Sequence, residues 1–435
     1  MSTHAEVKLW GSTIGAVVLE DGAEAAAFEY DRDFVNSGIQ VAPLMMPLST
    51  RVYQFPEVAS GMFKGLPGLL ADSLPDKYGN ALINEWLARQ GRTPESFNAV
   101  ERLCYTGTRG MGALEYAPIL GPKAQSSSRL QVDELIALAA EILTQRSDLE
   151  GSMEADERDA TLQQILRVGT SAGGARAKAV IAWNPDTNEI RSGQVAADRG
   201  FQHWLLKFDG VKGGGDEQLG DPLGMGRVEY AYSRMARDAG IAMSECRLLE
   251  ENGRSHFMTK RFDRTGNEKL HVQTLAALAH LDFNPVGQHS YEQIFLVMKQ
   301  LGLSLDAIEE MFRRMVFNIL ARNHDDHVKN TAFLMNKSGD WSLAPAYDLT
   351  YAYDPAGKFT DRHQMQMNGK RDGFTPDDFT ACGRVAGLKQ GRAVRLLQEI
   401  GAVVRNWSDY AEEVGVDSGL RDGIQAGLRS ELIPS

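Results

Sequence analysis

Apolar and polar positions alternate in short runs at the start of the chain, Glu6–Trp10, Ile14–Leu19 and Ala25–Tyr30, with glycine-containing turns between them. A period of two gives each run one apolar face, so residues 5–48 are expected to form a small antiparallel sheet. The period then changes. Asp72-Ser73-Leu74-Pro75-Asp76-Lys77-Tyr78 reads as a helix start with proline in the first turn, where the missing N–H has no partner to lose. Leu82, Ile83, Trp86 and Leu87 supply the apolar stripe of that helix.

The polar stretch Gly121–Arg129 has the composition of a linker, and it precedes an amphipathic pattern with Val132, Leu135, Ile136, Ala139, Ile142 and Leu143 on one face. The acidic segment Asp148–Asp159 reads as solvated surface. From Leu166 to Thr259 short strand-like runs (Ala179–Trp183, Trp204–Phe208, His256–Thr259) surround one helix, Val228–Ala239, with Gly213-Gly214-Gly215 as a loop. Beyond Arg264 the pattern turns mostly helical, most plainly at Ile308, Met311, Phe312, Met315, Val316, Ile319 and Leu320. The expected divisions are 1–121, a β-rich subdomain; 130–262, a β-rich nucleotide-binding part; and 263–435, a helical lobe. No internal repeat interrupts this order.

Composition narrows the class. With 435 residues, 43% hydrophobic and 24% charged, the chain has the balance of a folded protein with more than one core. Its 46 Lys and Arg against 58 Asp and Glu leave a net charge of −12, which disfavours nucleic acid as a primary ligand unless a local basic patch or a basic partner supplies the contact. Cys104, Cys246 and Cys382 lie far apart and without metal-binding spacing, so neither a disulfide framework nor a zinc knuckle is expected, and a cytoplasmic location fits. No apolar run reaches membrane-spanning length, and the N-terminus shows no export signal.

The chemistry concentrates in Asn323-His324-Asp325-Asp326-His327-Val328-Lys329-Asn330, directly after the most regular apolar helix and before the strand-like Thr331–Met335. Phosphoryl transfer from ATP needs a carboxylate to orient the attacking hydroxyl and an oxygen ligand for Mg2+. Asp325 and Asn330 have the five-residue spacing of a protein-kinase catalytic loop, with His324 adjacent to the aspartate where the kinase signature has one residue intervening. Eighteen residues after Asn330, Asp348 within Pro345-Ala346-Tyr347-Asp348-Leu349-Thr350 stands where a second magnesium ligand belongs. A charged loop after a helix needs no catalytic role, and a metal hydrolase using His324, Asp325 and His327 with Asp326 or Asp348 is a second interpretation.

Upstream, Gly169-Thr170-Ser171-Ala172-Gly173-Gly174-Ala175-Arg176-Ala177-Lys178 leads into a strand, and small residues allow backbone N–H groups close to phosphate oxygens, with Lys178 adding charge. It matches neither GxGxxG nor a Walker A loop, and a glycine-rich hairpin is often only a turn. Lys207 is a lone cation on the apolar strand Trp204–Phe208, either facing water at a sheet edge or facing phosphate, with Glu229 as its candidate helix partner. Lys260-Arg261-Phe262-Asp263-Arg264 sits at the change from β-rich to helical sequence, where its backbone would line an adenine pocket as a hinge or serve as a basic connector.

In their order, these motifs resemble the HipA-type kinases, the toxins of HipBA toxin–antitoxin systems. The resemblance covers the whole chain, including the β-rich start and the Asp72–Asp76 helix entry. It implies an α+β, two-lobed protein-kinase-like fold with a β-rich N-terminal lobe and a largely α-helical C-terminal lobe. It implies an enzyme that uses ATP and Mg2+ to phosphorylate proteins on serine or threonine, an aminoacyl-tRNA synthetase in the best-known cases. By resemblance Asp325 is the catalytic residue. Gly173, Gly174, Ala175, Arg176, Ala177, Lys178, Lys207, Lys260, Arg261, Phe262, His327, Val328, Lys329, Asn330, Tyr347 and Asp348 would contact nucleotide, and Asn330 and Asp348 would hold magnesium. Ser171, with Thr170 as alternative, matches the serine that these kinases autophosphorylate. The resemblance also implies a HipB-like DNA-binding antitoxin as partner, operator DNA bound mainly through it, and DNA contact at Lys370 and Arg371. Asp326 stands where the family often has glycine and would add a negative charge beside the catalytic acid; Arg176 and Ala177 replace the family's Gln-Glu. A third interpretation keeps the partner and DNA but drops the catalysis, making the chain a corepressor.

Overall fold

A computed structural model describes residues 2–58, 61–121, 130, 132–144, 176–193, 198–211 and 223–434. The chain divides into two units. The first comprises residues 1–41, 46–226 and 246–272, and the second residues 42–45, 227–245 and 273–435.

The first unit holds two five-stranded antiparallel sheets. Strands β1 (Thr3–Leu9), β2 (Ser12–Leu19), β3 (Ala27–Tyr30), β4 (Val52–Tyr53) and β5 (Leu114–Ala117) pair in the order β4-β3-β2-β1-β5. The alternation seen in the sequence becomes a buried face of Ala5, Val7, Leu9, Ile14, Val17, Phe28 and Tyr30. The helix Ala99–Thr106, closed at its start by a reciprocal Asn98–Glu101 capping box, packs on β1.

The second sheet is built from β6 (Lys178–Trp183), β7 (Ile190–Ser192), β8 (Gln202–Lys207), β9 (Cys246–Glu251) and β10 (Arg254–Lys260), in the order β7-β6-β8-β10-β9. Every residue of β6 is buried, as the continuous apolar run requires. Its core takes Tyr78 and Leu82 from the helix Lys77–Ala88, Leu135, Ile136 and Ala139 from the helix Val132–Thr144, and Ile181, Trp204, Leu206 and Met258 from the strands. Proline does not occupy the first helical turn here. The helix begins at Lys77, and Asp76 caps it by accepting from the Gly79 N–H at 2.7 Å, which places Pro75 one residue before the cap.

The second unit is largely helical. Its central element, Leu305–Leu320, buries Ile308, Met311, Phe312, Met315, Val316, Ile319 and Leu320, and also the polar Arg314 and Asn318. The helices Tyr291–Gln300, Pro376–Ala386 and Arg392–Val404 pack against it, and a hairpin of Ala332–Met335 with Trp341–Leu343 follows the loop at its C-terminus. The α+β class expected from the sequence, β-rich first and helical afterwards, is the one the protein adopts. Among the described residues, no helix is long and apolar enough to cross a membrane.

Candidate active site

The Leu305–Leu320 helix stops at Ala321, and Arg322 turns the chain through a left-handed conformation (φ +55°) into the Asn323–Asn330 loop. The two adjacent aspartates of that loop then face opposite ways. The Asp325 side chain is 49% exposed. Its Oδ1 accepts from Gln364 Nε2 at 2.6 Å and lies 3.7 Å from His327 Nε2. Asn330 donates its Nδ2 to the Asp325 backbone carbonyl at 2.7 Å. A carbonyl can only accept, so the Asn330 amide must present nitrogen there, which leaves Oδ1 available as an acceptor.

Asp326 is fully buried and satisfied. Oδ2 accepts from Tyr291 Oη at 2.7 Å and from His363 Nδ1 at 2.9 Å, and Oδ1 accepts from the backbone N–H groups of Gln364 at 2.8 Å and Met365 at 3.2 Å. Burial alone would raise its pKa, but His363, Tyr291 and the Met365 N–H outweigh that and hold it below the ordinary carboxylate value. The expected extra negative charge beside Asp325 is present, but it points inward, into four donors that stabilise it in place of water.

The same hydrogen bonds reach the Asp348 turn. From Asp326 the chain of contacts runs through Tyr291 Oη to Asn318 Nδ2 (3.1 Å), then Asn318 Oδ1 to Asn323 Nδ2 (2.9 Å), and Asn323 Nδ2 to the Asp348 carbonyl (3.3 Å). Tyr347 Oη donates to the Lys329 carbonyl at 2.6 Å. Asp348 itself sits at φ +53°, a strained backbone region that aspartate tolerates better than most residues. A small cavity of mixed lining, with Met311 and Leu349 beside Asn318, Asn323, Asp326 and Asn330, adjoins the loop. The Asn330 and Asp348 segments are thus tied into one framework, and both side chains offer the hard oxygen donors that suit Mg2+.

The hydrolase alternative loses two of its ligands in this arrangement. The His324 ring is buried, 2.9 Å from the Thr360 carbonyl through Nδ1 and packed on His363 and Tyr353, and Asp326 faces the interior. Among the described residues, no three His, Cys, Asp or Glu side chains converge as a metal cluster.

In the first unit, Lys178 and Lys207 stand opposite one another in the β6–β8 register. Lys178 is buried in an ion pair with Asp76 Oδ2 at 3.0 Å, with both side chains under 5% exposed. Lys207 is also buried, its Nζ 5.7 Å from the centre of the Phe257 ring, so it does not face water at an edge. Glu229 lies in the helix Met225–Asp238, in the second unit. Ala177 is buried and Arg176 partly so, whereas Thr170, Ser171, Gly173, Gly174 and Ala175 lie outside the described residues.

The Lys260–Arg264 segment is more tightly organised than a connector. Arg261 clamps Asp263 with Nε and Nη2 at 2.8 and 2.6 Å, and Arg264 Nη1 reaches the same carboxylate at 2.6 Å. The Gly112 N–H donates to it at 2.7 Å. Burial would raise the Asp263 pKa, but two guanidinium groups drive it far below normal, and Arg264 is drawn down to about 10 by desolvation. Gly112 has φ +73°, and a β-carbon there would come within 3.0 Å of the Val272 nitrogen, so glycine is required for this approach. The Arg261 side chain is accordingly engaged with Asp263. In the second unit Lys370 pairs with Asp378 at 2.8 Å and Arg371 Nε donates to the His363 carbonyl at 2.6 Å.

Residues 5–117 match the HipA N-terminal domain and residues 170–407, more than half of the chain, match the HipA-like C-terminal domain. The chain belongs to the HipA family. The solved structure of Shewanella oneidensis MR-1 HipA with HipB and operator DNA superposes on 99% of this chain and 96% of its own at a TM-score of 0.67 and 18% identity, which establishes a shared HipA fold. "Putative kinase Y4dM" of Sinorhizobium fredii is 28% identical over 142 residues, 29% of this chain and 34% of that protein. A protein of Haemophilus influenzae with the same kinase description is 28% identical over 135 residues, 28% of this chain and 39% of its own length. The matched stretch therefore spans little more than a third of either relative.

Several partners of the Asn323–Asn330 loop were not legible in the sequence: Gln364, His363, Tyr291 and Asn318, which hydrogen-bond to its side chains; in the first unit the same holds for Asp76, which pairs with Lys178. None stands within a recognisable motif with its partner.

Proposed function

We propose that this HipA-family chain is an ATP- and Mg2+-dependent serine/threonine protein kinase, with Asp325 orienting and deprotonating the acceptor hydroxyl. The observation that carries the proposal is the opposed pair in the loop. Asp326 is locked inside and linked through Tyr291, Asn318 and Asn323 to the Asp348 turn, while Asp325 is half-exposed, with Oδ1 accepting from Gln364 and its carbonyl from Asn330. That is the arrangement in-line phosphoryl transfer needs: a fixed base and fixed oxygen ligands on one rigid framework. Bound Mg2+ would neutralise phosphate charge, with Asn330 Oδ1 and the Asp348 carboxylate holding it.

Nucleotide contacts are proposed for Gly173, Gly174, Ala175, Arg176, Ala177, Lys178, Lys207, the backbone of Lys260–Phe262, His327–Asn330 and Tyr347. Ser171 is proposed as the autophosphorylation site. By analogy with the Shewanella complex of HipA, HipB and operator DNA, the partner would be a HipB-like antitoxin carrying most of the DNA contact, with Lys370 and Arg371 contributing from this chain. The protein acceptor would be an aminoacyl-tRNA synthetase, and the chain the toxin of its pair.

The test is intact-mass and phosphosite analysis after incubation with ATP and Mg2+. The expected result is one added phosphate on Ser171, with the rate lowered about 100-fold or more in Asp325→Ala, the scale of losing a general base. ATP binding with equal phosphate incorporation in wild type and Asp325→Ala would refute the assignment.

A further inference from the structure

Gln364 lies outside every motif, yet it contacts the proposed catalytic carboxylate. The residue is 7% exposed, and its side chain places Nε2 2.6 Å from Asp325 Oδ1. A carboxylate can only accept, so the amide must turn its N–H toward Asp325. Gln364 is itself held from behind. Its backbone N–H donates to Asp326 Oδ1 at 2.8 Å and lies 3.1 Å from the His324 carbonyl, and its own carbonyl accepts from the Gly287 N–H at 3.0 Å. The inward aspartate therefore anchors the residue that steadies the outward one.

We propose that Gln364 is a positioning residue, fixing the rotamer of the Asp325 carboxylate through a single donated hydrogen bond while Asp326 and Gly287 fix Gln364. The inference rests on the kinase reading of Asp325. The bond from Gln364 adds to the His327 contact in fixing Asp325 Oδ1, and a displacement of about 1 Å from the working geometry costs on the order of 100-fold in rate. A purely structural glutamine would satisfy its amide inside the protein. This one directs it to a carboxylate at the surface.

The experiment compares wild type with Gln364→Ala, Gln364→Glu and Gln364→Lys. It measures the single-turnover rate of phosphate incorporation from ATP and Mg2+, affinity and stoichiometry for a fluorescent ATP analogue, and melting temperature. Gln364→Glu keeps the shape but replaces the donor with a repelling charge, whereas Gln364→Lys changes the shape but keeps a donor. The expected order of rates is wild type, Lys, Ala, Glu, with the last two down about 10- to 100-fold at unchanged nucleotide affinity and stoichiometry. Rates of Ala and Glu within about twofold of wild type would overturn the positioning role while leaving Asp325 intact as the base. Equal losses in all three variants that track melting temperature would also overturn it, showing a structural role only. A wild type that binds the analogue but transfers no phosphate would refute the kinase reading itself and the inference with it.

Discussion

At the residue scale, two neighbouring aspartates of identical chemistry have been given opposite environments. Asp325 is half-exposed with one oxygen held by Gln364; Asp326 is enclosed by two side-chain and two backbone donors. Asp325, Asn330 and Asp348 could be singled out as candidates from sequence because their spacing along the chain is a local property. Which aspartate turns inward could not, since that depends on Tyr291, His363 and Gln364 arriving from elsewhere. Buried titratable groups also set an acid limit. Desolvation pulls His271 from 6.5 to about 4, and desolvation together with the neighbouring His363 pulls His324 from 6.5 to about 3. Each stays neutral in the folded protein but takes up a proton when unfolded below its ordinary pKa, so its stabilising contribution is complete above about pH 6.5 and is lost as pH falls toward the folded value. Asp326, with its pKa depressed, adds a loss in the same direction at still lower pH. The melting temperature is expected to hold above pH 6.5 and fall steadily to pH 4. A flat profile across that interval would contradict the environments described for both histidines.

At the scale of elements, the helix Lys77–Ala88 and strand β6 are joined by one ion pair. Asp76 caps the helix with Oδ1 and meets Lys178, at the first position of β6, with Oδ2. The Asp76 cap explains why the helix begins at Lys77, two residues after the proline that was expected to open it. Removing the carboxylate would leave a buried ammonium without its counter-charge, a loss of about 3–5 kcal/mol. The cap itself contributes about 1 kcal/mol. Asp76→Ala is therefore expected to lose both and Asp76→Asn mainly the ion pair, since asparagine caps as well as aspartate; denaturant unfolding would show the two variants separated by about the cap alone. Equal stability of Asp76→Asn and wild type would mean that the pair contributes nothing net. The strands and helices themselves follow the sequence periodicities to within a few residues, as β2, β10 and Leu305–Leu320 illustrate. Pairing between distant elements leaves no periodic trace, and so the Asp76–Lys178 contact appeared only in the fold.

At the scale of the molecule, the charge of −12 opposes binding to a polyanion, and the two candidate DNA-contacting cations are already engaged, Lys370 with Asp378 and Arg371 with the His363 carbonyl. The chain alone is expected to leave an operator duplex unshifted in a gel assay at about 0.15 M salt, where charges beyond about 8 Å are screened, and to join the DNA only with a basic partner. A shift by the isolated chain, lost in Lys370→Ala with Arg371→Ala, would move the DNA-binding surface onto this protein. The α+β class, the order of its motifs, its helices and strands and the candidate residues Asp325, Asn330 and Asp348 were determined by sequence alone, because periodicity and short-range spacing are properties of neighbouring residues. The tertiary structure alone decided that Asp326 serves the interior, that Gln364 reaches back across 39 residues to Asp325, and that Lys178 is neutralised by Asp76. A buried polar group takes whichever partner the fold brings within about 3 Å, and that choice is made by long-range packing rather than by the residues beside it.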